Sequence, residues 1–155
     1  GHSHSSFLPW HREFIRRFFE KYATIRQLQE DLMERARKEG YAVTKCGRRR
    51  YLAEINSSSG QLARMAEGAA VNTPIQGTAA EIIKLAMIAI DRRLRADQLR
   101  SQMVLTIHDE LLFDAHLDEL EPLKRLVTEE MEQAMALTVP LKVELGQGRT
   151  WLEAH

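Results

Sequence analysis

A chain of 155 residues, 44% of them hydrophobic, is long enough to bury a core and contains no run of roughly 18 apolar residues that would span a membrane. Its 22 basic and 22 acidic residues cancel, so net charge neither supports nor excludes a polyanionic partner. The single cysteine, Cys46, excludes an internal disulfide and a cysteine-based zinc framework, and it suits a reducing, intracellular setting.

The charges are segregated along the chain. Residues 1–52 hold 12 Lys/Arg against 6 Asp/Glu, residues 53–105 hold 6 against 5, and residues 106–155 hold 4 against 11. One end is suited to phosphates and the other concentrates carboxylates. The opening Gly-His-Ser-His lacks the apolar stretch of a secretory signal, and residues 1–6 read as an expression scar or a disordered N-terminus.

From about His11 to Glu39, apolar Phe14, Ile15, Phe18, Phe19, Tyr22, Ile25, Leu28, Leu32, Met33 and Ala36 recur at helical spacing. This predicts one long amphipathic helix or two in tandem, ended by Gly40. Tyr41-Ala42-Val43-Thr44, Gly47 and Tyr51-Leu52 predict a short hairpin whose turn region carries Lys45 and Arg48-Arg49-Arg50. A polar turn at residues 56–60 leads into a short helix over residues 61–71. Thr73-Pro74-Ile75-Gln76 has the hydroxyl, first-turn proline and reciprocal glutamine of a capping box, so a second helix is expected to start there. Its face is Ile75, Ala79, Ile82, Ile83, Ala86, Met87, Ile90 and Leu94, through about Arg95.

Residues 103–107 and 111–113 read as antiparallel strands flanking His108-Asp109-Glu110. Asp118 is placed to cap a final helix with the face Leu120, Leu123, Leu126, Val127, Met131 and Ala134, and Pro140 precedes an alternating strand over residues 141–145. The sum is an α+β arrangement, helices on a small antiparallel sheet. Met65, Met87, Met103, Met131 and Met135 are expected to fill core space, and Phe14, Phe18 and Phe19 to form a packing stripe.

Chemistry concentrates at His108-Asp109-Glu110, where a hairpin would ordinarily prefer Asn-Gly or Asp-Gly. Two adjacent carboxylates suit magnesium, which takes oxygen ligands, keeps several waters and uses substrate phosphates to complete its shell. In a two-metal phosphoryl or nucleotidyl transfer, one ion activates the attacking oxygen and the other steadies the leaving group. A solvated acidic turn with an incidental imidazole fits the same residues. Asn72 and Gln76 are uncharged donor-acceptor groups able to read the shared acceptors of a minor groove, although a capping box would also explain Gln76. Arg48, Arg49 and Arg50 suit phosphate contacts or a plain solvated face.

Residues 72–84, from Asn72-Thr73-Pro74-Ile75-Gln76-Gly77 to Lys84, followed by Ile107-His108-Asp109-Glu110-Leu111, resemble the C-terminal part of bacterial DNA polymerase I-type, family A, polymerases. Gly47-Arg48-Arg49-Arg50-Tyr51 and the stretch from Gly146 to Trp151 resemble the family in the same order, so the likeness covers roughly residues 14–155. It implies residues 7–71 as part of the fingers and residues 72–155 as a portion of the palm. It implies that Asp109 is one of two palm aspartates binding catalytic magnesium, that Glu110 is an adjacent acidic helper, and that His108 lies near the primer terminus. It also implies that Asn72 and Gln76 touch the minor groove of primer-template DNA.

The reaction implied is template-directed, DNA-directed DNA synthesis in replication or repair, with deoxynucleoside triphosphates as substrates and two Mg2+ ions in the complete site. The expected setting is the cytoplasm, on bacterial nucleoid DNA, with no membrane partner. The family's other catalytic aspartate lies in an upstream Asp-Tyr-Ser-type motif, and its triphosphate-gripping fingers helix lies upstream too; this sequence has neither. The chain alone is therefore expected not to polymerise, and to self-associate through apolar surface that the missing parts would cover. Gly68 stands where the family usually has an arginine reaching the minor groove. The alternative is a non-catalytic nucleic-acid-binding fragment or a degenerate polymerase relative.

Overall fold

The computed structural model describes residues 7–154, with side chains from Arg12 onward. The expectation for residues 1–6 lies outside them. The fold class is α+β, and the strands form two separate two-stranded antiparallel ladders rather than one sheet. Two compact units divide between Gln76 and Gly77.

The first unit opens with two tandem helices, α1 (Phe7–Lys21) and α2 (Ala23–Glu39). Exposed pairs one turn apart line them, among them Arg17 with Glu13 at 2.7 Å and Arg26 with Glu30 at 3.0 Å. Gly40 ends α2 in the left-handed region at φ 79°, and its N–H donates to the Ala36 carbonyl at 2.8 Å. Strands β1 (Tyr41–Val43) and β2 (Arg49–Tyr51) follow, then a 3-10 turn at Ala53–Asn56. Ala36, Ala42, Leu52, Ile55, Ala66 and Ala70 form this unit's core. Arg37 ties α2 to the next helix through Glu67 at 2.6 Å, and Asn56 Nδ2 donates to the Arg37 carbonyl at 3.0 Å.

Helix α3 (Gly60–Ala96) crosses the boundary, and its C-terminal part begins the second unit. Strands β3 (Gln102–Ile107) and β4 (Glu110–Asp114), a 3-10 turn at Leu117–Glu119 and helix α4 (Leu120–Glu132) complete it, with a last 3-10 turn at Trp151–Glu153. Ala86, Ile90 and Leu94 of α3 meet Leu123, Leu126 and Val127 of α4 in a core that Met103, Leu111 and Phe113 of the hairpin flank. Arg93 reaches across from α3 to Glu129 at 2.8 Å and Glu130 at 3.1 Å on α4. Gly146 and Gly148 let the C-terminal turn fold back, since a Cβ at either would collide with Ala154 or Glu153.

Four expectations are corrected. No helix starts at Thr73: α3 runs unbroken through Pro74, and Thr73 Oγ1 is buried with no hydrogen-bond partner instead of capping. An interior proline costs about 3 kcal/mol and removes a donor to the carbonyl four residues back. Burial of Ala66 and Ala70 before it, and of Ala86 and Ile90 after it, overrides that local signal. Asp118 caps nothing; α4 starts after Glu119 without a side-chain cap, and Asp118 pairs with Arg100 instead. Residues 141–145 form no strand, because no neighbour among the described residues offers a ladder for them. Met65 is 67% exposed and so is not core filling, whereas Phe18, though partly exposed, meets Phe19 edge-on at 5.4 Å.

Candidate active site

The β3–β4 hairpin holds the acidic residues. Met103 pairs with Phe113, Leu105 with Leu112, Thr106 with Leu111 and Ile107 with Glu110, with a bulge at Val104. That register leaves only His108 and Asp109 as turn residues, so Glu110 opens β4 rather than belonging to the loop. All three are exposed. Side chains alternate along a strand, and Leu111 and Phe113 face the α3–α4 core. Glu110 therefore lies on the opposite face of the ladder, with Leu112.

His108 has φ 54°. The left-handed region disfavours a residue with a Cβ, and a two-residue hairpin usually meets that demand with glycine, asparagine or aspartate. A histidine kept in this conformation is a local compromise of the kind that clusters at working sites. Asp109 and Glu110 present hard carboxylate oxygens at adjacent exposed positions. This donor chemistry fits magnesium, which completes its shell with water and phosphate oxygens. Among the described residues, no group of three or more His, Cys, Asp or Glu side chains converges to form a full metal site.

In the first unit, Asn72 and Gln76 stand four residues apart on α3, so they share one helical face, and both are exposed. Because the helix is continuous, Gln76 has no capping task. Gly68, one turn earlier on that face, has open space around the position a Cβ would take. Both carboxylates belong to the second unit and both amides to the first.

The basic cluster divides by position. Arg48 precedes β2, where its N–H donates to buried Thr44 Oγ1 at 3.1 Å, whereas Arg49 and Arg50 lie within the strand. Strand alternation sends Arg49 and Arg50 to opposite faces. The Arg49 guanidinium sits 4.7 Å from the centroid of the Tyr41 ring, which meets Tyr51 edge-on at 5.9 Å. The three arginines thus do not form one patch.

With this geometry in view, comparison with known proteins is decisive. The sequence model described as DNA polymerase family A matches residues 11–153. The chain belongs to DNA polymerase family A. It is 47% identical over 137 residues to DNA polymerase I of Mycobacterium leprae, covering 88% of this chain and 15% of that protein. It is 46% identical over 142 residues to DNA polymerase I of Bacillus caldotenax, covering 92% and 16%. A solved structure, the POL domain of Pol1 from M. smegmatis in complex with DNA primer-template and dNTP, matches with a TM-score of 0.89 and 46% identity. That match covers 90% of this chain and 25% of the other. The chain thus spans about one-sixth of the length of these curated relatives.

One feature of this family A chain escaped the sequence reading. Glu119, 9% exposed, accepts hydrogen bonds from Arg100 N at 3.0 Å, Ser101 N at 2.9 Å, Ser101 Oγ at 2.7 Å and Arg100 Nε at 3.1 Å. The Ser101 hydroxyl and the Arg100 and Ser101 amides, outweighing burial, hold its carboxyl at about 2 instead of the ordinary 4.5. Its neighbour Asp118 reads in the sequence as a helix cap. Nothing local indicates that Glu119 reaches back to residues 100 and 101.

Proposed function

We propose that this family A segment supplies one half of the nucleotidyl-transfer site of a magnesium-dependent, DNA-directed DNA polymerase acting in replication or repair. The observation that carries the reading is the His108-Asp109 turn, held with histidine in the left-handed region inside a chain that matches family A from residue 11 to residue 153. Residues 7–71 belong to the fingers and residues 72–155 to the palm. The substrates are primer-template DNA and deoxynucleoside triphosphates, a reading supported by the ligands of the M. smegmatis polymerase domain. The protein works on nucleoid DNA in the bacterial cytoplasm, and no described helix is long and apolar enough to cross a membrane.

Asp109 and Glu110 would hold magnesium. When bound, two such ions supply charge stabilisation at the attacking and leaving oxygens. His108 lies against the primer terminus. Asn72 and Gln76 donate to the minor-groove acceptors common to all base pairs, so they sense pair geometry without reading sequence. Arg48 and Arg50 contact backbone phosphates, and Arg49 does so from its seat on Tyr41. The overall chemistry is attack of a primer 3′-hydroxyl on the α-phosphorus of the triphosphate, with pyrophosphate leaving.

The 155-residue chain alone is expected not to polymerise, because one carboxylate pair without a second palm aspartate cannot arrange two ions. Exposed Phe14, Ile15, Tyr22 and Leu28 supply apolar surface for self-association, and light scattering over a concentration series is expected to show mass rising with concentration. The functional test is primer extension by the full-length polymerase carrying Asp109→Ala. Removing a metal-holding carboxylate is expected to lower the rate by about a thousandfold, the scale of several kcal/mol of lost charge stabilisation. Unchanged extension would return the turn to a solvated acidic loop.

A further inference from the structure

Among the described residues the β3–β4 hairpin pairs with no further strand, and a hairpin of that width is marginal without outside support. Its tip is six residues from the start of β3, roughly 20 Å at strand spacing, so a small error at the root displaces the tip. A register slip of one residue would send Glu110 to the other face. The place of the carboxylates therefore depends on what fixes the root as well as on the packing of Leu111 and Phe113 against the α3–α4 core.

One linked set of hydrogen bonds does so. Ser101, 3% exposed, immediately precedes β3, and His116 lies two residues beyond β4. Ser101 Oγ donates to Glu119 at 2.7 Å and accepts from His116 N at 3.0 Å, so a single hydroxyl ties the strand that enters to the strand that leaves. Glu119 also takes the Arg100 and Ser101 amides, at 3.0 and 2.9 Å. It directly precedes α4, which is locked against α3 through Leu123, Leu126 and Val127. Arg100 closes the outside through Asp118 and through Nε to Glu119 at 3.1 Å.

We propose that Glu119 and Ser101 are positioning residues for nucleotidyl transfer: together they anchor both ends of the β3–β4 hairpin to α4 and so set where Asp109 stands. This rests on the polymerase reading above. Neither residue touches substrate. Their effect passes through the backbone of β3 and β4, and it is greatest on the step most sensitive to the placement of the metal-holding carboxylate.

The test uses the full-length polymerase as wild type, Glu119→Gln, Ser101→Ala and Asp109→Ala. Single-nucleotide incorporation is followed by rapid quench across a magnesium series, and burst amplitude counts competent sites. Glu119→Gln keeps the side chain's size but puts an amide group among donors. It is expected to lower the rate per competent site about ten- to a hundredfold, the scale for an ångström of misplacement. It should also raise the magnesium concentration needed for half-maximal rate, with triphosphate affinity nearly unchanged. Ser101→Ala, which deletes only the hydroxyl link, is expected to shift the same two quantities in the same direction by less.

A smaller burst amplitude with an unchanged rate per site and an unchanged magnesium midpoint in both variants would mean a purely structural clamp and would overturn the proposal. If Asp109→Ala incorporates as well as wild type, the underlying polymerase reading fails instead, whatever the other two variants do.

Discussion

Two hairpins in this chain solve one backbone problem differently. The β1–β2 hairpin places Gly47 in the left-handed region at φ 84°, with its N–H donating to the Thr44 carbonyl at 3.0 Å and Arg49 stacked on Tyr41. The β3–β4 hairpin places His108 there, at φ 54°, followed by Asp109. Glycine takes that conformation without steric cost, whereas histidine there carries a steric penalty. In the proposed reading, the glycine turn only has to turn, whereas the acidic turn keeps an imidazole beside Asp109. The roots differ as well, since the acidic hairpin alone has a buried carboxylate clamping its ends.

Exchanging the turn solutions tests the contrast most strongly. Gly47→Ala forces a Cβ into the left-handed region where it meets no atom within 4 Å, so the cost is purely that of the backbone. Thermal or urea unfolding is expected to show a loss of about 1–2 kcal/mol. Incorporation per folded molecule of the full-length polymerase should be unaffected. His108→Gly should do the reverse, gaining about 0.5–1 kcal/mol by relieving strain while slowing incorporation. A stability loss from His108→Gly would mean that the imidazole is structural and would end the comparison.

The smaller effect is on pH dependence. The carboxyl of Glu119, with Arg100 and Asp118 beside it, is held at about 2 against an ordinary 4.5. Its folded value is depressed, so its contribution to stability is complete above about pH 4.5 and is lost as pH falls toward 2. Unfolding midpoints measured through that window should drop more steeply for wild type than for Glu119→Gln. Parallel curves would show that the carboxylate is not held as described.

Much of this was legible in the sequence because it is local. The tandem helices, the stop at Gly40, both hairpins, the apolar face of α4 and the anomaly at His108-Asp109 all follow from period, turn chemistry and residue type within a few positions. What failed depended on distant partners. Pro74 reads as a helix start until the burial of Ala70 and Ala86 is known. Residues 141–145 alternate like a strand but need a neighbouring edge. Asp118 looks like a cap until Arg100 returns to it from 18 residues upstream, and nothing local tells that Ser101 returns to Glu119. Phe14 and Phe18 follow a helical period faithfully, yet periodicity does not say whether anything covers the face.

In the proposed reading this segment holds one half of a polymerase site, with Asp109 as its indispensable member. The most direct measurement is primer extension with magnesium and all four deoxynucleoside triphosphates, run in parallel on the 155-residue chain, the full-length polymerase and its Asp109→Ala variant. Extension is expected from the full-length wild type and from neither of the other two. Extension by the isolated chain would contradict the half-site, and undiminished extension by the Asp109→Ala polymerase would contradict the role given to Asp109.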